Sequence, residues 1–320
     1  LGFLTLAGLT SPWHLVLLSL TNGTLRASQQ TAAQALVPNL IPRQHLMNAV
    51  ALNEATQQGS RFVGPLAIAP LLGFVNVAAA FWLCSAFYGI GLVLTLRIAT
   101  RSTGDIDRSR SFGRNFVAGF VYVYQHPLLL ALVLLALGHC SLTMSYESML
   151  PAISQEKLAA GAIGVSFLVA GVGAGALVTA VFLAGVRNEG TRGWLFLVFG
   201  VLSGLGPIGM ALSSSRELSM LASVAMGVNQ AGFMVITHTI IQSIVPDAIR
   251  GRVSGVYSMH VGGIMAVANL TNGTLADVFN APVVMAVAGI IFTVAIVLSV
   301  GQVTVRRIYF PRAAAAAPAA

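Results

Sequence analysis

Five polar residues interrupt an apolar run where a bilayer-spanning helix belongs: Asn53, Glu54, Gln57, Gln58 and Arg61, all within residues 47–72. At roughly 100° per residue they share an arc of about 140°, one face of a helix. A charge at the centre of a membrane helix costs about 2.5–3.5 kcal/mol. Such a stripe therefore faces protein or water and not lipid. Arg26, in the preceding apolar run, lies roughly 18 Å from the same membrane face and Glu54 roughly 12 Å, at 1.5 Å of rise per residue. Those depths put the two within pairing reach across adjacent helices. The pair has two possible uses: it locks the helices in register, or it lines a cavity in which Glu54 exchanges a proton. The second use works because the proton affinity of a carboxylate in low dielectric depends on whether a cation stands beside it.

Glu147 follows the uncharged run 128–146 and is expected at its outer interface. It joins His139 and His238 as a weaker cavity candidate. Single histidines inside spans, His260 included, read first as hydrogen-bonded packing residues and second as proton relays. Asp105 and Asp107 lie among the arginines 101–114 and read as solvated linker. Catalytic patterns are missing: there is no His-Glu-x-x-His, Gly-x-Ser-x-Gly or Cys-x-x-Cys. Lys157 is the single lysine, so a glycine-rich loop ending in Lys-Ser or Lys-Thr is absent and an ATP-driven pump on this chain is excluded. Cys84 and Cys140 both sit in apolar runs and build no disulfide framework. No metal and no cofactor is expected.

The elements that carry these residues follow from composition. The 320 residues are 56% hydrophobic and 8% charged, against about 25% charged in a soluble domain. The natural solvent of this chain is lipid. Uncharged stretches of spanning length fall at 128–146, 158–186, 193–215, 218–246, 253–276 and 278–305, with further spans at 15–37, 47–72 and 75–96. Residues 1–9 read as the end of another, giving nine whole spans and a partial one. The runs are continuous and not alternating, so the expected fold is an all-α polytopic membrane protein and not a barrel. Of 17 basic residues, 13 fall in the turns around 38–46, 97–127, 187–193 and 246–252 and in the tail after 301. That bias places those segments, and the C-terminus, in the cytoplasm. The net charge of +8 is thus a topology signal, and no nucleic-acid partner is expected.

A repeat is also present. Gln34-Ala-Leu-Val-Pro38 and Gln242-Ser-Ile-Val-Pro246 match 208 residues apart, and the same offset lays 47–72 on 255–280 and 75–96 near 283–304. Two parallel halves joined by the basic segment 97–127 follow. Carried back from residue 128, the offset leads us to expect roughly 80 residues ahead of Leu1 in the natural protein. A second duplication, Leu-Thr-Asn-Gly-Thr-Leu at 20–25 and 270–275, does not fit the offset and reads as coincidence. Gly171-x-x-x-Gly175 and Ser60-x-x-x-Gly64 are spacings that let helices approach closely.

Several motifs carry a resemblance. The run Pro38 to Asn53, then Arg61-Phe-Val-Gly64-Pro65, resembles the Major Facilitator Superfamily, in the branch of the enterobactin exporter and macrolide-efflux-type proteins. Tyr146-x-x-x-Leu150-Pro151, Gly171 to Gly175, Pro246-Asp-Ala-Ile-Arg250-Gly251-Arg252 and Gly273 to Asp277 are similar to the same branch. Gly64, Pro65, Pro246, Arg250, Gly251 and Arg252 are the structural motif residues this implies. The sequence departs from the pattern at Ile68 and Ala69, where glycines are usual. The resemblance implies twelve helices in two halves, itself a worked example of repeat architecture. Residues 1–96 would be the remainder of the N-terminal half, 97–127 a cytoplasmic linker, 128–302 a six-helix half and 303–320 a tail. It further implies a monomeric transporter of the plasma (inner) membrane that exports a small lipophilic, siderophore-like or drug-like molecule by proton antiport. A facilitator, a substrate:proton symporter or a transport-inactive accessory protein stand as alternatives.

Overall fold

The structure, a computed structural model, describes residues 1–40, 46–98, 112–184, 186 and 188–310. Its elements are helices α1 (Gly2–Leu6), α2 (Pro12–Leu40), α3 (Leu46–Phe74), α4 (Val77–Leu96), α5 (Phe112–Gln125), α6 (Pro127–His139), α7 (Leu150–Ile153), α8 (Gly161–Ala184), α9 (Glu189–Leu212), α10 (Arg216–Ile244), α11 (Asp247–Phe279), α12 (Ala281–Ser299) and α13 (Val303–Tyr309). No strand occurs among the described residues. A backbone that crosses lipid must satisfy its N–H and C=O groups within the segment, and helices do this. Seven helices among the described residues are long and apolar enough to cross a membrane. They are α4, the stretch Pro127–Leu158, and α8 to α12 within bounds that differ by a few residues. α2 and α3 are 29 residues each, but the described apolar piece of α3 is the shorter Gly59–Phe74. Nine whole spans and a partial one were expected, and seven meet this criterion among the described residues.

The chain forms two compact units, one of Leu1–Gln57 with Val63–Asp107 and one of Gln58–Phe62 with Arg108–Ala320. In the first, Phe3 of α1 stands edge-on to Trp82 of α4 with ring centroids 4.4 Å apart. α4 begins at Asn76, whose side chain accepts the Ala79 N–H at 2.8 Å, an N-cap of the usual kind.

The second unit is held by glycines. Where a Cβ on Gly175 would stand, α10 places the Val224 carbonyl, and the position of a Cβ on Gly227 is taken by the Val172 carbonyl. α8 and α10 therefore meet backbone to backbone, and Thr179 Oγ1 donates to the Val228 carbonyl at 3.0 Å across the same seam. Gly204 and Gly289 do the same for α9 and α12, each facing the other's carbonyl. Lipid tails give helices no hydrophobic reason to associate, so close van der Waals approach of small residues takes that place. Gly171 and Gly175 thus act as their spacing suggested. Gly227→Val should cost about 1–3 kcal/mol through overpacking. Thermal unfolding of the detergent-solubilised protein checks this: an unchanged melting temperature would contradict the backbone contact.

Two segments expected to be loop are helices. Within the 97–127 linker, α5 packs along α11: Gly119 abuts the Arg252 carbonyl and Val256, and Val123 is fully buried. Tyr124 Oη and His260 Nε2 lie 3.1 Å apart. The arginines flanking this stretch hid a helix whose apolar residues need a partner. In the 303–320 tail, α13 folds back. The Tyr309 and Ser299 hydroxyls lie 2.8 Å apart, and Gly193 of α9 leaves room for the Ile308 carbonyl. Burial pushes the Tyr309 phenol above its ordinary value, an effect the Ser299 bond partly offsets.

Candidate functional site

The run beginning at Pro127 does not stay α-helical. α6 ends at His139, a widened turn spans Cys140–Met144, and a tight turn spans Glu147–Met149. α7 then resumes at Leu150, a second widened turn follows at Ser154–Leu158, and Ala159 stops the run in the left-handed region at φ 49°. Local chemistry explains the break. Pro151 has no N–H, and its ring clashes with the carbonyl four residues earlier, at Glu147. Upstream, hydroxyls bond back to the helix: Ser141 Oγ to the Gly138 carbonyl at 3.2 Å, Thr143 Oγ1 to the His139 carbonyl at 2.9 Å, and Ser145 Oγ to the Ser141 carbonyl. Such back-bonding bends helices.

Irregular backbone at membrane depth survives where protein or water satisfies it, and here neighbouring helices do so. Gln230 of α10 donates Nε2 to the Thr143 carbonyl at 2.7 Å. Asn272 of α11 donates Nδ2 to Ser145 Oγ at 2.7 Å, and to the Ser145 and Ser141 carbonyls at 3.3 Å each. At the far end Arg216 Nη2 donates to the Leu158 carbonyl at 3.1 Å.

Arg61 reaches this break. Its Nη2 lies 3.2 Å from Glu147 Oε1, and the two side chains are 41% and 50% exposed. The turn Gln58–Phe62 of α3 is held beside α8 because Gly173 has no Cβ: one there would stand 2.6 Å from the Arg61 carbonyl carbon and the Phe62 nitrogen. A pair this exposed adds only about 0–1 kcal/mol to stability. With one contact between them, the guanidinium keeps spare donors and the carboxylate spare acceptors. The arrangement is a water-accessible charge pair at the opening of a membrane helix, able to exchange partners.

Glu147, expected at the outer interface, stands in the break and is paired across 86 positions of sequence. Asn53, Glu54, Gln57 and Gln58 fall on α3 and Arg26 on α2, but their side chains, with that of Arg250, lie outside the described ones. The expected pairing of Arg26 with Glu54 falls there too. His139 is fully buried, with Nδ1 2.6 Å from Thr143 Oγ1 and 3.3 Å from Ser203 Oγ, and its Nε2 finds no partner among the described residues. The ring packs between Phe233 and Phe292. His238 stands against Tyr257 with centroids 4.8 Å apart. His238 is otherwise exposed. Gly64 and Gly251 have open space where a Cβ would go, Pro65 lies inside α3, and Pro246 precedes the first turn of α11. Arg252 serves through its carbonyl, against Gly119. Gln230 and Asn272 were not anticipated. The signal for them was an amide buried in the middle of an apolar span, where a hydrogen-bond partner must exist.

The family model described as transmembrane secretion effector matches residues 1–314. The chain belongs to that family. Among relatives of this secretion effector is an MFS-type transporter of Bacillus subtilis, YvqJ, 22% identical over 295 residues, covering 90% of this chain and 70% of YvqJ. The enterobactin exporters EntS of Shigella boydii and Escherichia coli are 26% and 25% identical over 244 residues. These matches cover 76% of this chain, and the chain spans 58% of the length of those exporters. A solved POT family transporter in complex with 5-aminolevulinic acid is similar in fold, with a TM-score of 0.64 at 12% identity, covering 86% of this chain and 72% of that one. The family is one of multi-pass membrane transporters and not an enzyme class.

Proposed function

We infer that this chain exports a small molecule across the plasma membrane and does so in exchange for protons. One observation carries the reading: a half-exposed Arg61–Glu147 pair at the break of a membrane span. Intramembrane ionisable residues cost free energy to keep and mark ion and substrate paths. Broken helices are where transporters place such paths. While the Glu147 carboxylate is charged, a cationic or hydrogen-bond-donating group of the cargo takes the place of Arg61 on it. When a proton occupies the carboxylate instead, the cargo loses that partner and is displaced, so proton and cargo hold Glu147 in turn. Arg26, Glu54 and Arg61, with Asn53, Gln57 and Gln58 on the α3 stripe, form a second set of coupling residues in this proposal. The exporters among the relatives favour a siderophore-like or drug-like cargo, and the reading places the C-terminus in the cytoplasm.

The test is flux in proteoliposomes, using the protein expressed from its whole gene and a panel of siderophores and hydrophobic drugs. An imposed pH gradient should drive at least one of them, and an ionophore that collapses the gradient should stop it. Equal flux with and without the gradient would leave a facilitator in place of an antiporter.

A further inference from the structure

Asn272 lies where α11 packs against the unwound stretch that carries Glu147. It is 8% exposed, on a helix long enough to cross a membrane. Its Nδ2 carries two hydrogens and faces three oxygens: Ser145 Oγ, and the carbonyls of Ser145 and Ser141. Ser141 lies in the widened turn Cys140–Met144 and Ser145 directly follows it, so a single amide ties both ends of that turn. Ser145 Oγ in turn bonds to the Ser141 carbonyl, which makes a closed set of three oxygens around one nitrogen. Two residues later stands Glu147, whose single contact with Arg61 depends on where this turn is held. The next residue of α11, Gly273, would bring a Cβ only into ordinary contact with Ser148, at 3.7 Å. The hydrogen bonds seat the turn together with the packing of Tyr146, Met149 and Leu150.

We propose that Asn272 is a positioning residue for transport: its amide fixes the unwound turn of the span Pro127–Leu158 so that the Glu147 carboxylate meets Arg61. Gln230 holds the same turn from α10 through the Thr143 carbonyl, two residues further from the carboxylate than Ser145. The proposal rests on the reading of the Arg61–Glu147 pair as the coupling site. An asparagine suits the task because its donors face two carbonyls. An aspartate of the same size would set a third acceptor against them.

Two measurements on the protein expressed from its whole gene separate this idea from the reading beneath it. The first is geometric. Arg61→Cys and Glu147→Cys, in a Cys84→Ala, Cys140→Ala background, are bridged by a short bifunctional thiol reagent. Asn272→Asp and Asn272→Ala should slow that bridging about fivefold to tenfold, the size of change a lost hydrogen bond produces. Asn272→Ser keeps a donor on a shorter arm and should recover part of the rate. The second is flux with the native Arg61 and Glu147. Asn272→Ala should lower it by a similar factor, but should add nothing in a Glu147→Gln background. Bridging at the native rate in the Asp and Ala variants overturns the proposal whatever the flux. Slowed bridging with native flux supports the positioning and overturns the coupling role of the pair. Losses that multiply independently in the double variant, or three variants that all fail to fold, assign Asn272 to stability alone and overturn it too.

Discussion

Glu147→Gln should reduce gradient-driven flux by at least about a hundredfold while leaving the amount of folded protein nearly unchanged. The amide keeps the size and hydrogen-bonding capacity of the carboxylate and removes its titration. Stability should barely move because the Arg61–Glu147 pair is 41% and 50% exposed, and pairs of that kind contribute about 0–1 kcal/mol. Loss of flux then cannot be assigned to unfolding. Arg61→Gln should also lose flux, and the double variant should be no worse than the poorer single one, because residues that act as a unit are not additive. Flux in proteoliposomes, alongside a melting curve for each variant, checks the expectation. Native flux through Glu147→Gln would move the proton elsewhere, with Glu54 the next residue to examine.

The second large effect concerns Arg26 and Glu54. If they pair between α2 and α3 as a structural unit, Glu54→Gln strands a cation at membrane depth and costs about 3–5 kcal/mol. The protein should then be recovered poorly or melt early. Arg26→Gln added to Glu54→Gln removes both charges and should restore the melting temperature. A proton carrier behaves in the opposite way: Glu54→Gln folds well, loses gradient-driven flux, and is not rescued by Arg26→Gln. We expect the second pattern, with transport lost and the protein intact. Rescue of both yield and flux by the double variant would contradict it.

The helices of this protein are legible in its sequence because long uncharged runs leave the backbone one solution in lipid. The close approach of α8 to α10 was legible too, since Gly171 and Gly175 are spaced for one helix face and small residues have that use in a membrane. Other features were hidden for definite reasons. The turn Cys140–Met144 reads as continuous apolar span, because its serines and threonine are neutral and back-bonded. Only Pro151, four residues beyond Glu147, hinted that the ladder would open there. Glu147 could be assigned to an interface but not to Arg61, since choosing a partner 86 positions away is decided by which helices pack and not by local pattern. Asn272 sat in a six-residue duplication that looked like chance. The duplication says nothing of its role, which comes from the three oxygens it faces. The α5 helix was lost among the arginines before it, although Gly119 and Val123 already lay on one face.

The measurement that bears most directly on the whole account is the direction of proton movement. Protein from the whole gene is reconstituted with a pH-sensitive dye trapped inside the vesicles, and a cargo identified from the panel is added outside. The account predicts that cargo entering the vesicles drives protons out, so the lumen becomes more alkaline, and that Glu147→Gln abolishes the signal. Acidification of the lumen together with cargo entry, or cargo entry with no proton movement at all, would contradict it.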